Sequence, residues 1–223
     1  MLYGVNSTKS AITKLLDGQD LFTVVMRQKG FPAFWGRSLS GVDRITKEEK
    51  EYLESKNCKV VLIFDELTEA QVSARNGVDD AMRAIKAAQE LGVPANQNIA
   101  LFADIKSDWS VNYNWMSSYA KTLADNGYVP GFIGNTDAST NFNFNRQTNQ
   151  YVQSMAEIAR GKTVYWATEP QAGGEPRKWS PYSPAALTPN HIGLWRTGGQ
   201  VKYGNSIAKI NYVRDKSVMN FMW

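Results

Sequence analysis

The 223-residue sequence predicts a single α/β domain folded as a (β/α) barrel of the TIM type with eight strands. Short apolar runs rich in β-branched and aromatic residues alternate with longer amphipathic segments, a pattern typical of parallel βαβ units. Eight such runs favour a closed barrel over an open sheet. No internal repeat and no evident linker interrupts the pattern, so residues 1–223 are interpreted as one domain.

Eight segments have the length and composition of strands. Because they recur between helical patterns, they are expected to run parallel, with their carboxyl ends at one mouth of the barrel. The predicted strands are Leu2–Asn6, Ala33–Leu39, Lys59–Asp65, Asn98–Lys106, Val129–Asn135, Thr163–Glu169, His191–Arg196 and Ala208–Val213.

Four amphipathic segments predict helices between these strands. One begins at the N-cap Thr46, where Glu49 three residues later completes a capping box. The clearest, Gly77–Leu91, is rich in alanine, carries acids in its first turn and ends before Gly92. Segment 170–190 holds five prolines and two glycines, so regular helices are expected to be missing or irregular in the last third of the barrel. The other two predicted helices are Ser110–Ala124 and Asn145–Arg160.

The composition argues against several classes of function. Hydrophobic residues make up 43% of the chain, yet no stretch approaches the roughly 18 apolar residues of a membrane span. The single cysteine, Cys58, cannot form an internal disulfide, and the single histidine, His191, argues against a multi-histidine metal site. Motifs of phosphate-, dinucleotide- and zinc-binding proteins are missing, so no cofactor and no metal is expected. The net charge of +4 is scattered without a basic block, so no nucleic-acid partner is expected.

Function in such barrels is located at the carboxyl ends of the strands. Asp104 is the most informative residue there, because it lies inside the apolar strand ALFADIK, where an unpaired acid is costly. Strand alternation places Phe102, Asp104 and Lys106 on one face. Asp104 and Lys106 therefore either belong to a site or form an ion pair that simply fills the rim. Of Asp65 and Glu66, which follow another strand, only one can face inward.

The expected mouth combines carboxylates with tryptophans. Glycoside hydrolysis uses carboxylates in pairs, and tryptophan rings are broad amphipathic platforms suited to sugars. The candidate catalytic residues are therefore Asp104, Glu66, Glu169 and Asp65. The candidate substrate-binding residues are Asn6, Trp35, Arg37, Lys106, Trp166, Trp195 and Asn211.

Several segments, in their order along the chain, resemble a known family. They are YGVNS, AFWGRSL, ITKEEKEYLESKNCKVVLIFDE, NGVDDAMRAIKAAQELGVPANQNIALFADIKSD, GYVPGFIGN, VYWATEP, IGLWRT and AKINYV. Together they resemble the glycoside-hydrolase-like domain of unknown function family 1906, a relative of the glycoside hydrolase family 25 lysozymes. The resemblance spans nearly the whole chain, and its most specific part leads from Gly77–Leu91 into the following strand.

The resemblance implies a barrel that binds or cleaves peptidoglycan-like glycan of bacterial or phage cell walls. It implies a cell-wall-associated or secreted protein, although no signal peptide is visible in MLYGVNSTKS. It also implies that most of the acids of the active lysozymes are replaced by other residues in this sequence. The active lysozymes have acids at the positions of Asn6, Lys106 and Lys209, and of their set Asp104 remains.

Three alternatives follow and stay open at this point. The first is a barrel that binds cell-wall glycan without the lysozyme reaction. The second is an active, muramidase-like glycosidase that uses Asp104 with Glu66 or Glu169. The third is a non-catalytic structural or interaction module whose mouth is blocked by the proline-rich loop.

Overall fold

The computed structural model describes residues 1–139, 143–168 and 175–223. Within these ranges, eight strands close a barrel in their order along the chain, which confirms the predicted fold class. The strands are β1 (Leu2–Asn6), β2 (Phe34–Ser38), β3 (Lys59–Phe64), β4 (Ala100–Asp104), β5 (Val129–Gly134), β6 (Val164–Ala167), β7 (Ile192–Tyr203) and β8 (Ser206–Val213).

One strand breaks the expected parallel arrangement. Strands β1 to β7 pair in parallel, whereas β8 is antiparallel to both β7 and β1. The reason is a hairpin in place of a helical crossover: Tyr203 pairs with Ser206 across a two-residue turn that contains Gly204 at φ +56°. A turn of that length joins neighbouring antiparallel strands. Strand β7 therefore continues well beyond the predicted end at Arg196.

Seven α-helices occur in the described part of the chain, three more than expected. The first of them was not predicted, and it begins after Asp20, whose carboxylate accepts a hydrogen bond from the Thr23 amide. The predicted helix Asn145–Arg160 is interrupted at Met155 (φ −139°), which divides it into two. The helices are α1 (Leu21–Lys29), α2 (Lys47–Ser55), α3 (Glu69–Val72), α4 (Val78–Leu91), α5 (Tyr113–Asp125), α6 (Phe144–Ser154) and α7 (Ala156–Gly161).

The last third of the barrel is irregular, as expected. Residues 175–190 contain no α-helix, and one short 3-10 helix, Pro189–His191, leads into β7. None of the helices in the described ranges is both long and apolar enough to cross a membrane.

The core has two layers, inside the barrel and between the barrel and the helices. Alternate residues of each strand face each layer: Phe34 and Phe102 lie inside, whereas Trp35 and Leu101 pack toward the helices. Aromatic rings of the interior pack directly against glycines. A Cβ added at Gly131, for example, would lie 2.6 Å from the ring of Phe102. A C-terminal 3-10 helix, Lys216–Phe221, packs on the interior cluster near the amino ends of the strands. The opposite end of the barrel stays open to form a cleft.

Candidate functional site

A polar cleft of about 580 Å³ occupies the carboxyl ends of the strands. This is the end at which (β/α) barrels carry their sites, and the volume lies within the range of roughly 300–1,000 Å³ typical of small-ligand pockets. Among the described residues, five charged side chains line it, two acids and three bases. The lining includes Asn6, Ser7 and Thr8 after β1, Ser38, Asp65, Asp104, Lys106, Thr168, Arg196, Gln200 and Lys209.

Asp104 and Lys106 form an ion pair inside this cleft. The Lys106 ammonium donates a hydrogen bond to Oδ2 of Asp104, as expected for residues on one face of a strand. The Asp104 side chain is 17% exposed and that of Lys106 is 46% exposed, so the pair is open to the cleft on the lysine side. Asp104 is thus partnered, which explains how an acid is tolerated at the end of an apolar strand.

Asp65 is the second carboxylate of the cleft, and its surroundings differ. The Ser38 hydroxyl donates to Oδ2 of Asp65 at 2.6 Å. Burial raises the pKa of the Asp65 carboxyl above its ordinary value, and the negative charge of Asp104 acts in the same direction. The Ser38 hydrogen bond and the Lys106 charge oppose this increase in pKa without cancelling it. Asp65 is therefore better suited than an ordinary aspartate to hold a proton.

Lys209 and Arg196 add two basic side chains to the cleft lining. Burial, followed by the charge of Arg196, lowers the pKa of the Lys209 ammonium. Lys106 adds to this decrease, whereas the negative charge of Asp104 opposes it. The Arg196 guanidinium lies over the ring of Trp166, 5.4 Å from its centroid.

A chain of side-chain hydrogen bonds forms the floor below these charges. The Trp166 indole N–H donates to Oδ1 of Asn211 at 3.0 Å. The Asn211 amide in turn donates to Oδ1 of Asn6 at 2.9 Å and to the Lys209 carbonyl at 2.8 Å. Trp166 and Asn211 are both 0% exposed. Trp166 therefore supports the cleft from below and offers no open ring face to a sugar, contrary to the expectation of a stacking platform.

Two other predicted residues, Trp35 and Arg37, face the helices instead of the cleft. Trp35 is fully buried and stacks on Phe22 of α1, with 5.8 Å between ring centroids. Arg37 is buried and pairs with Glu49 of α2 at 2.8 Å. The physical reason is strand alternation: Phe34 faces the barrel interior, so the residues at odd positions of β2 face outward.

The remaining predicted residues lie in different places. Trp195 is 9% exposed and packs edge-on against Trp179, outside the cleft lining. Glu66 is exposed and lies beside Gly41, so of the adjacent acids it is Asp65 that faces inward. Glu169 lies outside the described residues.

Comparison with known proteins places the chain in a family. The model of the Rv2525c-like, glycoside hydrolase-like domain matches residues 30–217. The chain belongs to this family. No curated protein matches the sequence.

Solved structures similar to this Rv2525c-like domain share its fold. An uncharacterised protein from B. stearothermophilus is 24% identical, with 100% of each chain covered and a TM-score of 0.82. The Mycobacterium tuberculosis Tat-secreted protein Rv2525c, in complex with L-tartrate, is 13% identical, with 97% of each chain covered and a TM-score of 0.60. A bacterial lysozyme from Streptomyces coelicolor is 9% identical, with 99% of this chain and 96% of that chain covered and a TM-score of 0.58.

Several cleft residues of this Rv2525c-like domain were not among the predicted site residues. They are mainly hydroxyl and basic side chains, which the search for acids and tryptophans passed over. Alternation would have found two of them, since residues two apart on a strand share a face: Ser38 follows Phe34 and Gly36, and Arg196 follows Leu194. No cluster of metal-ligating side chains, three or more in number, occurs in residues 1–139, 143–168 and 175–223. The polar lining residues outside the predicted site residues are Ser7, Thr8, Ser38, Ser107, Thr168, Arg196, Gln200 and Lys209.

Proposed function

We propose that this domain binds cell-wall glycan of the peptidoglycan type in the cleft, without the lysozyme reaction. The observation that carries the proposal is the ion pair between Asp104 and Lys106. Glycoside hydrolysis requires one carboxyl group that donates a proton and a second group that stabilises the oxocarbenium-like transition state. The Lys106 ammonium is bound to Oδ2 of Asp104, and this adjacent positive charge would oppose a developing positive charge on the sugar.

The lining of the cleft supports glycan as the ligand. Hydroxyl and amide side chains such as those of Ser7, Thr168 and Gln200 donate and accept hydrogen bonds, as sugar hydroxyls do. The similar structures include a lysozyme and a muramidase, whose names indicate action on cell walls. The similarity to a Tat-secreted protein supports an exported location for this domain.

A cosedimentation assay with purified, insoluble peptidoglycan tests the proposal. Thr8 lies exposed at the edge of the cleft, so Thr8→Trp places a bulky ring there. Lys86→Trp is the matched control, because Lys86 lies on the exposed side of α4 with 78% of its side chain accessible. We expect the wild type and Lys86→Trp to sediment with the wall material and Thr8→Trp to stay in solution. Failure of the wild type to sediment would overturn the proposal.

A second candidate function is hydrolysis, and one observation favours it. The pKa of Asp65 is raised by burial, which is the direction that a general acid needs. In this mechanism Asp65 would donate the proton and Asp104 would act on the sugar or on its acetamido group. Glu66, the partner considered from sequence, does not line the cleft.

A reducing-end assay on several wall preparations separates the two candidates. Hydrolysis requires that the wild type releases reducing ends and that Asp65→Asn and Asp104→Asn do not. If wild type and both variants are equally inert while the wild type still sediments with the wall, binding without cleavage stands. Residues 175–190 of the proline-rich segment do not line the cleft. Residues 170–174 of that segment lie outside the described residues.

A further inference from the structure

We propose a second glycan-binding site, separate from the cleft, in a surface depression beside the tip of the β7–β8 hairpin. The inference rests on the proposed function for the choice of a glycan chain as ligand, and it adds a site to that function. The depression has a volume of about 420 Å³, within the range of roughly 300–1,000 Å³ typical of small-ligand pockets. In the described part of the chain it is lined by Asp17, Gln19, Val24, Arg27, Gln28 and Tyr203.

The depression lies where three elements meet at the mouth of the barrel. Asp17 and Gln19 belong to the loop between β1 and α1, Arg27 lies on α1, and Tyr203 is the last residue of β7. Because β7 runs parallel to its neighbour β6, its carboxyl end lies at the same end of the barrel as the cleft. Both sites therefore open toward the same end of the molecule.

The β7–β8 hairpin contributes to both sites through its two faces. Gln200 and Ile207 line the cleft, whereas Tyr203 lines the depression. Strand alternation explains this division, because Gln200 and Tyr203 are three residues apart and so face opposite sides. Val201 shares the face of Tyr203 and is buried against the helices. A glycan chain that crosses the hairpin would thus contact the cleft and the depression together.

Hydrogen bonds hold the polar side chains of the depression in place. The Arg27 guanidinium donates to Oε1 of Gln19 at 2.6 Å, and the Gln19 side-chain amide donates to Oδ2 of Asp17 at 2.8 Å. Asp17 also accepts from the Gln19 backbone N–H at 3.1 Å and from the Tyr203 hydroxyl. Side chains that are ordered before binding lose less conformational entropy when a ligand binds.

The chemistry of these groups suits sugar hydroxyls, which both donate and accept hydrogen bonds. The hydrogen bond from the Gln19 backbone N–H lowers the pKa of the Asp17 carboxyl, and the bonds from Tyr203 and the Gln19 side chain act in the same direction. Asp17 is therefore a carboxylate that accepts hydrogen bonds. The Arg27 guanidinium carries five N–H donors, of which the bond to Gln19 engages one. An acceptor and a donor side by side match neighbouring hydroxyl groups of one sugar ring.

Tyr203 and Val24 supply the apolar part of the depression. Val24 is 5% exposed, and the partly buried Tyr203 ring packs against the core between barrel and helices. Aromatic rings are amphipathic surfaces that accommodate the apolar C–H face of a sugar while their polar group stays hydrogen-bonded. The depression thus combines the two kinds of surface that a sugar ring presents.

NMR titration of a protein with a blocked cleft tests this site in isolation. Isotope-labelled Thr8→Trp is titrated with tetra-N-acetylchitotetraose, a soluble oligosaccharide. We expect the backbone amide signals of Gln19, Arg27 and Tyr203 to shift with sugar in the millimolar range. Arg27→Met in the same background is expected to abolish these shifts. Circular dichroism melting verifies that each variant is folded.

Cosedimentation with peptidoglycan measures what the second site adds to the first. Two linked sites on one polymer raise the apparent affinity through an effective concentration in the millimolar range. We therefore expect Tyr203→Ala and Arg27→Met, each with an intact cleft, to weaken the apparent affinity for the wall about threefold to tenfold. Tyr182→Ala is the matched control, because Tyr182 is 52% exposed and lies outside the lining of both sites. Its affinity is expected to equal that of the wild type.

The outcomes separate this inference from the proposed function. If the signals of the depression do not shift, or if both variants bind the wall as tightly as the wild type, the second site is overturned and binding in the cleft stands. Shifts that persist in Arg27→Met also overturn it, because they would arise elsewhere. If the depression signals shift while the wild type fails to sediment with the wall, the proposed function falls and the second site stands.

Discussion

Asp65 and Asp104 carry the same carboxyl group in one cleft, yet their neighbours give them different properties. Asp65 accepts a hydrogen bond from the Ser38 hydroxyl in a partly buried position, whereas Asp104 is paired with the ammonium of Lys106. A carboxyl such as that of Asp65, whose pKa is raised by burial, is more common at functional sites than elsewhere. At the scale of single residues, the side chains that contact each acid therefore distinguish the two carboxyl groups of the site.

The titration of Asp65 is the first measurable consequence. Its pKa is expected to lie above the ordinary value of 3.8, because burial disfavours the charged form. Ser38→Ala should raise the pKa further by removing the hydrogen bond to the carboxylate, and Asp104→Asn should lower it by removing a like charge. Carboxyl-carbon NMR across the acid range measures all three proteins. A wild-type pKa at or below 3.8 would contradict the structure.

The same increase in pKa predicts how stability depends on pH. A carboxyl whose pKa is higher in the folded than in the unfolded state binds the proton more tightly when folded, so its contribution to stability falls as pH rises through that interval. Asp65→Asn removes this term. The melting temperature of the variant relative to wild type should therefore be higher at about pH 7 than at about pH 3. Asp43→Asn, on the exposed loop after β2, is the control, and a difference that shrinks with rising pH would refute the sign.

The alternation of side chains along a strand predicted some of these contacts. It did not decide others, and for Trp35 it was not taken into account. It placed Asp104 and Lys106 side by side, as observed. It left the choice between Asp65 and Glu66 open, because both follow the end of a strand, where the alternating pattern ends. Trp35 was expected at the mouth on the grounds of residue type, although its place one residue after the inward Phe34 indicates the opposite face.

At the scale of elements, a buried ion pair joins the loops that shape one side of the cleft. Arg37 of β2 pairs with Glu49 of α2, and these side chains are 2% and 0% exposed. Arg37 also donates to the carbonyls of Ser7 and Thr8, which line the cleft, and Glu49 accepts from the amide of Ala11. The pair therefore fixes the loop after β1 to the barrel, so Arg37, predicted to bind substrate, positions the residues that line the site.

Breaking this pair should destabilise the protein strongly. Arg37→Met leaves Glu49 as an uncompensated buried charge, and such changes cost about 3–5 kcal/mol. Replacing both residues, as Arg37→Met with Glu49→Leu, should recover part of that loss because no charge stays buried. Urea denaturation measures the free energy of unfolding. Lys121→Met, which breaks an exposed pair with Asp125 on α5, should cost at most about 1 kcal/mol. Equal costs for Arg37→Met and Lys121→Met would refute the role of the buried pair.

Elements with strong local patterns were predicted well, and those defined by distant contacts were not. Helix α4 begins and ends within a residue of its expected bounds, because alanine content and Gly92 at φ +87° define it locally. Helix α1 was missed, although its N-cap Asp20 accepts a hydrogen bond from the Thr23 amide. The extent of β7 depends on its pairing with β8, which the sequence of β7 alone does not reveal.

At the scale of the whole molecule, large interior rings lie against glycines on neighbouring strands of the barrel. The ring of Phe102 on β4 lies against Gly131 on β5, and the ring of Phe34 on β2 lies against Gly4 on β1. The eight strands, their alternation with helices and the barrel were predictable from the pattern of apolar and amphipathic segments along the sequence. The matching of ring to glycine was not, because it depends on the register between strands.

This matching predicts a coupling between β4 and β5. Gly131→Ala would place a Cβ 2.6 Å from Phe102, and overpacking of this kind costs about 1–3 kcal/mol. Phe102→Leu alone loses buried ring area and also destabilises the barrel. The double variant should be more stable than the sum of the two losses indicates, because the smaller side chain makes room for the new methyl group. Urea denaturation of the four proteins measures the coupling energy.

Gly161→Ala, where no atom lies within 4 Å of the added Cβ, controls for the loss of glycine itself. Strictly additive losses would show that Gly131 is not required by the ring.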